Sequence, residues 1–114
     1  MTDEPPPNGE QAPRNWKLLL RYGRLKTPYE HFTVLVDVQV IEADSAVGSQ
    51  VGPAWMAMKV WAPSADAAGE IICDIPPRVG AEVRGRCEVY KSEPDEPPQD
   101  MPYAYDLRFT AYKE

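Results

Sequence analysis

The chain has 114 residues, 43% apolar and 26% charged, which is the composition of one ordinary globular domain and leaves no room for a second. Its formal charge of −6 is unevenly placed: residues 1–14 hold Asp3, Glu4 and Glu10 against Arg14, residues 91–114 hold six acids against Lys91, Arg108 and Lys113, and the middle is near neutral. Such a balance repels phosphate backbones, two cysteines build no disulfide scaffold, and no apolar run near the start has signal-peptide or membrane length, so a cytoplasmic protein is expected.

Residues 1–14, with Pro5-Pro6-Pro7, Asn8-Gly9 and Pro13, read as a disordered, proline-rich acidic tail, and residues 15–114 as a single α+β domain. Trp16, Leu18, Leu20 and Tyr22 alternate with Lys17, Leu19 and Arg21, which predicts a first strand ended by Gly23. Phe32 to Glu42 is the strongest strand pattern: Phe32, Val34, Val36, Val38 and Val40 share one face, and β-branched residues dominate. The stretch 54–61 fits a strand or a helical turn. Period two through its whole length and Pro63 at its end select the strand.

Ser64 is an N-cap residue, Asp66 suits the first turn, and Ala68, Ile71, Ile72 and Ile75 recur at helical spacing, so one helix begins there. Pro76 and Pro77 should stop it, with a kinked extra turn to Gly80 as the alternative, since Val79 continues the apolar stripe. Two further strands, 82–90 and 103–112, flank residues 91–102, an acidic segment with four prolines that predicts a projecting loop. In the second of these strands Tyr103, Tyr105, Leu107 and Phe109 fall on one face. The expected order is β-β-β-α-β-β: about five mostly antiparallel strands with one helix on a single face. Trp16, Leu18, Leu20, the Phe32–Val38 series, the helix isoleucines, Cys87, Val89, Leu107 and Phe109 form its expected core.

Four surfaces can carry function. His31 is the one side chain suited to proton transfer near neutral pH, but no nucleophile motif stands beside it. A pocket between sheet and helix, lined by Trp55, Trp61, Tyr103 and Tyr105 near His31, would suit a small enzyme or small-molecule binder. Arg84, Arg86, Arg108 and Tyr90 interleave bases and aromatics as a single-stranded nucleic-acid binder does, although neighbouring acids can pair the arginines instead. Glu93, Pro94, Asp95, Glu96, Pro97 and Pro98 would offer a basic protein partner an acidic, stiff recognition element. Leu19, Leu35 and Ile41, apolar on the otherwise wet sheet face, predict a homodimer through that face. One histidine and two separated cysteines make a zinc site unexpected, and no cofactor is implied. The leading expectation is a small non-catalytic interaction or assembly module, acting on itself and on a protein partner.

Overall fold

Eleven residues from Glu30 to Val40 form β1, the strand on which the rest is built; Val34, Val36, Val38 and Val40 are fully buried and Phe32 nearly so. The computed structural model describes residues 13–46 and 48–112, so the expected tail at 1–14 lies outside the described residues apart from Pro13 and Arg14. On one side β1 pairs antiparallel with β2, Gly52–Ala62, which sets Val36 against Met56 and Phe32 against Val60; residues 54–61 are therefore strand. On the other side it pairs antiparallel with β3, Ala81–Lys91, with Val34 facing Val89 and Val36 facing Cys87. The last strand, β4, Tyr103–Ala111, pairs antiparallel with β2. The result is an α+β fold around a four-stranded antiparallel sheet in the order β3-β1-β2-β4.

Helix α2, Ala65–Cys73, packs on the valine and methionine face. Ser64 caps it: its hydroxyl accepts from the Ala67 N–H at 3.1 Å, Asp66 lies in the first turn, and Ala68 and Ile72 are fully buried. Because β2 and β3 run parallel on either side of β1, their connection has to cross over β1, and α2 supplies that crossing. The two prolines do not simply end the chain's helical course. Pro76–Val79 make a 3₁₀ turn closed by Gly80 at φ 80°, and a Cβ there would stand 2.7 Å from the Glu42 carbonyl oxygen. The Gly80 carbonyl accepts from the Ile41 and Glu42 N–H groups, tying the start of β3 to the end of β1.

Three expectations are corrected. Residues 16–22 are not a strand: Trp16–Arg21 form a short helix, α1, with no buried residue, and Leu18 is 48% exposed. The segment has no β-branched residue and is mostly leucine, lysine and arginine, all good helix formers, so its short period-two pattern is outweighed. The sheet thus has four strands instead of five, and Trp16, Leu18 and Leu20 leave the core. Lys91 belongs to β3, opposite Phe32, so the connection to β4 is residues 92–102.

The third correction concerns faces. Ala57 pairs with Arg108 but Lys59 with Tyr105, so β4 carries one extra residue there, at Asp106, whose φ is 61°. That bulge inverts the alternation. Tyr103 and Tyr105 share the face of Trp61 and Lys59, away from α2, whereas Phe109 meets Met56 in the core. A second irregularity puts Arg84, Gly85 and Arg86 of β3 opposite the single residue Asp37; a Cβ on Gly85 would collide with the Asp37 carboxylate.

Candidate functional site

The face of the sheet opposite α2 carries His31, Thr33, Leu35 and Asp37 from β1 and Trp55, Ala57, Lys59 and Trp61 from β2. Strand order decides what covers it. Chain leaving β3 must reach β4 on the opposite edge, three inter-strand spacings or roughly 14 Å away. Residues 92–102 make that journey across the β1 and β2 ends, so the acidic proline segment lies on the sheet as a strap instead of standing off it.

His31 is the fastening point, a residue only 6% exposed. Its Nδ1 stands 3.1 Å from the Ser92 carbonyl oxygen, and a carbonyl can only accept, so Nδ1 carries the proton. In the neutral ring Nε2 then accepts from the Tyr105 hydroxyl at 2.7 Å. That hydroxyl's oxygen in turn accepts the N–H groups of Asp95 at 2.9 Å and Glu96 at 3.3 Å. Thr33 donates to the Ser92 hydroxyl at 2.8 Å. Beside this chain the Trp61 indole, edge-on to His31 at 5.1 Å, donates to the Glu96 carbonyl at 2.9 Å, and the Tyr103 hydroxyl donates to the Pro97 carbonyl. Lys59 pairs with Asp95 and also with Asp106 at 3.3 Å.

The electrostatics match that hydrogen-bond pattern. Burial pushes the His31 pKa below 6.5, opposed by the Ser92 hydrogen bond and assisted by nearby Lys59, which favours the neutral ring the geometry requires. Burial likewise raises Tyr105 and Tyr103, keeping both phenols protonated donors. The Lys59 ammonium holds the Asp95 carboxyl below its ordinary value. Both ring nitrogens are hydrogen-bonded, Nδ1 to Ser92 and Nε2 to Tyr105, so His31 ties the strap to the sheet.

The far half of the same face is built differently. The Tyr112 hydroxyl donates to the Asp37 carboxylate, Arg84 Nε lies 3.3 Å from that carboxylate, and the Arg84 guanidinium sits 5.3 Å above the Tyr112 ring. Trp55 packs against Tyr112 at 5.9 Å, and an open concavity of about 540 Å³ is lined by Trp55, Thr110, Ala111 and Tyr112. Arg86 pairs with Glu88 at 3.6 Å and Arg108 with Asp106 at 2.9 Å. In all three pairs the arginine is the more exposed partner, 41% against 18%, 80% against 44% and 74% against 26%, so each guanidinium stands further into solvent than the carboxylate it pairs with.

The expected site residues are thus dispersed. Trp61, Tyr103 and Tyr105 do meet at His31, but on the face away from α2 and under the strap, while Trp55 lies at the other end. Asp95, Glu96 and Pro97 are strap contacts with the sheet; Glu93 and Pro94 line a cleft of about 160 Å³ with Lys17, Leu20 and Arg21 of α1; Pro98 is half-buried. Leu35 sits in mid-face opposite Ala57 and Glu88, Ile41 lies one residue beyond β1, and Leu19 is on α1, so these three do not form one sheet surface. Arg84, Arg86 and Tyr90 lie on one edge strand and Arg108 on the other. Cys73 and Cys87 are both free thiols, and burial pushes Cys87 up to about 11, with a hydrogen bond to Cys73 adding to it. Among the described residues no group of three or more His, Cys, Asp or Glu could hold a metal ion, and no helix is long and apolar enough to cross a membrane.

Sequence reasoning missed Ser92 and Lys59 as strap partners, and it placed Tyr103 and Tyr105 in a pocket instead of on a clamp. The signal that could have found the clamp is an acidic proline segment running directly into Tyr-x-Tyr, since tyrosine faces and hydroxyls suit extended proline chains. The chain matches no protein-family model, no curated protein and no solved structure.

Proposed function

We propose that the chain is a small non-catalytic protein-interaction module whose binding surface is the half of the open sheet face that the strap leaves uncovered. The observation that carries this reading is the division of labour along that face. The titratable and hydrogen-bonding groups at one end are consumed in holding the strap, while the other end presents Trp55, Tyr112, Leu35 and three outward arginines. Both sheet edges are bulged and charged, which disfavours strand addition and directs association to the face. The uncovered area, about 20 by 20 Å from strand spacing and rise, is roughly half the ~800 Å² per partner of a standard stable interface. That size suits a transient partner or a peptide better than a permanent homodimer.

The test is site-specific photo-cross-linking from Ala57, central on this face, with Glu70 on the outer side of α2 as the control position, in cells of the organism that makes the protein. Discrete adducts from position 57 that are absent from position 70, and that disappear with Arg84→Glu and Arg108→Glu, are expected. Adducts that are identical from both positions, or indifferent to the arginine changes, would sink the reading; an adduct of twice the chain mass identifies a second copy as the partner.

A further inference from the structure

The tetrapeptide Asp-Glu-Pro-Pro occurs twice in the chain, at residues 95–98 and again at residues 3–6. The later copy is the part of the strap seated on the sheet. An ammonium takes its aspartate, a tryptophan indole takes the glutamate carbonyl, and tyrosine hydroxyls take the proline carbonyl and two backbone N–H groups. The far end of the same face repeats this set of groups. Trp55 stands six residues before Trp61 on β2, hence on the same side; Tyr112 follows β4, which supplies the clamp tyrosines; and Arg84 and Arg108 supply cations. The concavity of about 540 Å³ is lined by Trp55 and Tyr112 together with Thr110 and Ala111.

We propose that this Trp55–Tyr112 concavity binds the chain's own first copy, Asp3-Glu4-Pro5-Pro6. The inference rests on the reading of the uncovered half-face as a binding surface and adds its regulation: a partner has to displace the tail segment. Charge favours the match, since Asp3 and Glu4 would meet arginines that stand further into solvent than their own carboxylate partners. Aromatic slots take proline rings readily, and proline lowers the entropy lost on docking. The tail joins the described structure on the strap side of the sheet. The chain enters the described structure at Pro13 just before α1, whose Lys17, Leu20 and Arg21 border the strap at Glu93 and Pro94. Seven residue steps separate Pro6 from Pro13 and span at most roughly 24 Å of extended chain.

The experiment uses the full chain labelled with ¹⁵N, in which Trp16, Trp55 and Trp61 give distinguishable indole N–H signals. Replacing Asp3→Asn, Glu4→Gln, Pro5→Ala and Pro6→Ala together is expected to move the Trp55 signal and leave the Trp61 signal in place. Adding an unlabelled peptide of residues 1–12 to that variant is expected to return the Trp55 signal toward its original position. A Trp55 signal indifferent to the tail changes overturns the proposal. If it nevertheless responds to an unrelated acidic proline peptide, the surface reading stands and only the tail assignment falls; silence to both removes both. A tail effect that vanishes on dilution overturns binding within one chain and assigns the segment to a second copy.

Discussion

Replacing Tyr105 by phenylalanine removes one oxygen and tests the whole logic of the strap. In the native arrangement that oxygen donates to His31 Nε2 at 2.7 Å and receives the Asp95 and Glu96 N–H groups. The two N–H groups are exposed and can turn to water, but Nε2 belongs to a residue only 6% exposed and is left without a donor. An unsatisfied buried acceptor costs about 1–3 kcal/mol, so urea unfolding above pH 7 should show a loss of that size. The pH profile gives a second, sharper readout. His31 has its folded pKa below the unfolded 6.5, so as pH falls the unfolded ring takes up its proton first. Stability is therefore full above about pH 6.5 and declines as pH drops from there through the folded pKa. Burial is the main cause of that decline, with Lys59 adding to it and Ser92, Asp95 and Glu93 opposing it; a proton on Nε2 also conflicts with the hydrogen that Tyr105 donates, so the phenol would have to turn to accept it. Without the phenol the conflict is gone, and the decline below pH 6.5 should be shallower in Tyr105→Phe than in the parent chain. A variant within about 0.5 kcal/mol of the parent, or one with an unchanged pH slope, would refute the assigned tautomer and with it the clamp.

Three further sets of substitutions probe the frame. Gly85→Ala should cost about 1–3 kcal/mol in urea unfolding, because its methyl group meets the Asp37 carboxylate, and Asp37→Ala in the same chain should recover part of that loss. Ile72→Ala, at a fully buried position on the inner side of α2, should cost about 2–5 kcal/mol, whereas Leu18→Ala on α1 should stay within about 0.5 kcal/mol of the parent. Ser64→Ala should lose about 1 kcal/mol through the Ala67 N–H it leaves uncapped, and Ser64→Asp should retain most of the stability.

The strands and the main helix were legible because their signals are redundant. Phe32 to Val40 combines strict alternation with β-branching, and Ser64, Asp66 and the Ala68–Ile72 stripe agree on one helix start. Trp16–Tyr22 misled because alternation was its only strand signal; leucine, lysine and arginine favour helix, and the segment pairs with neither edge of the sheet. The inversion at Asp106 was out of reach, since a bulge is a property of two paired strands and β4's register against β2 is not written in either segment alone. The same holds for the strap. Its composition announced a loop, but whether that loop projects or lies flat depends on which edges it joins, and only the order β3-β1-β2-β4 puts those edges on opposite sides.

That route also bears on strand exchange between molecules. Among the described residues β4 is the last strand, on an outer edge, joined to the rest by an eleven-residue connection, which is the anatomy of a segment that can trade places with its twin in another copy. To trade, the connection would have to lift off the sheet, and it is bolted down at His31, Lys59, Trp61, Tyr103 and Tyr105. The same hydrogen bonds that consume the chain's one histidine therefore set the barrier against domain swapping, and acid, by loosening them, lowers it.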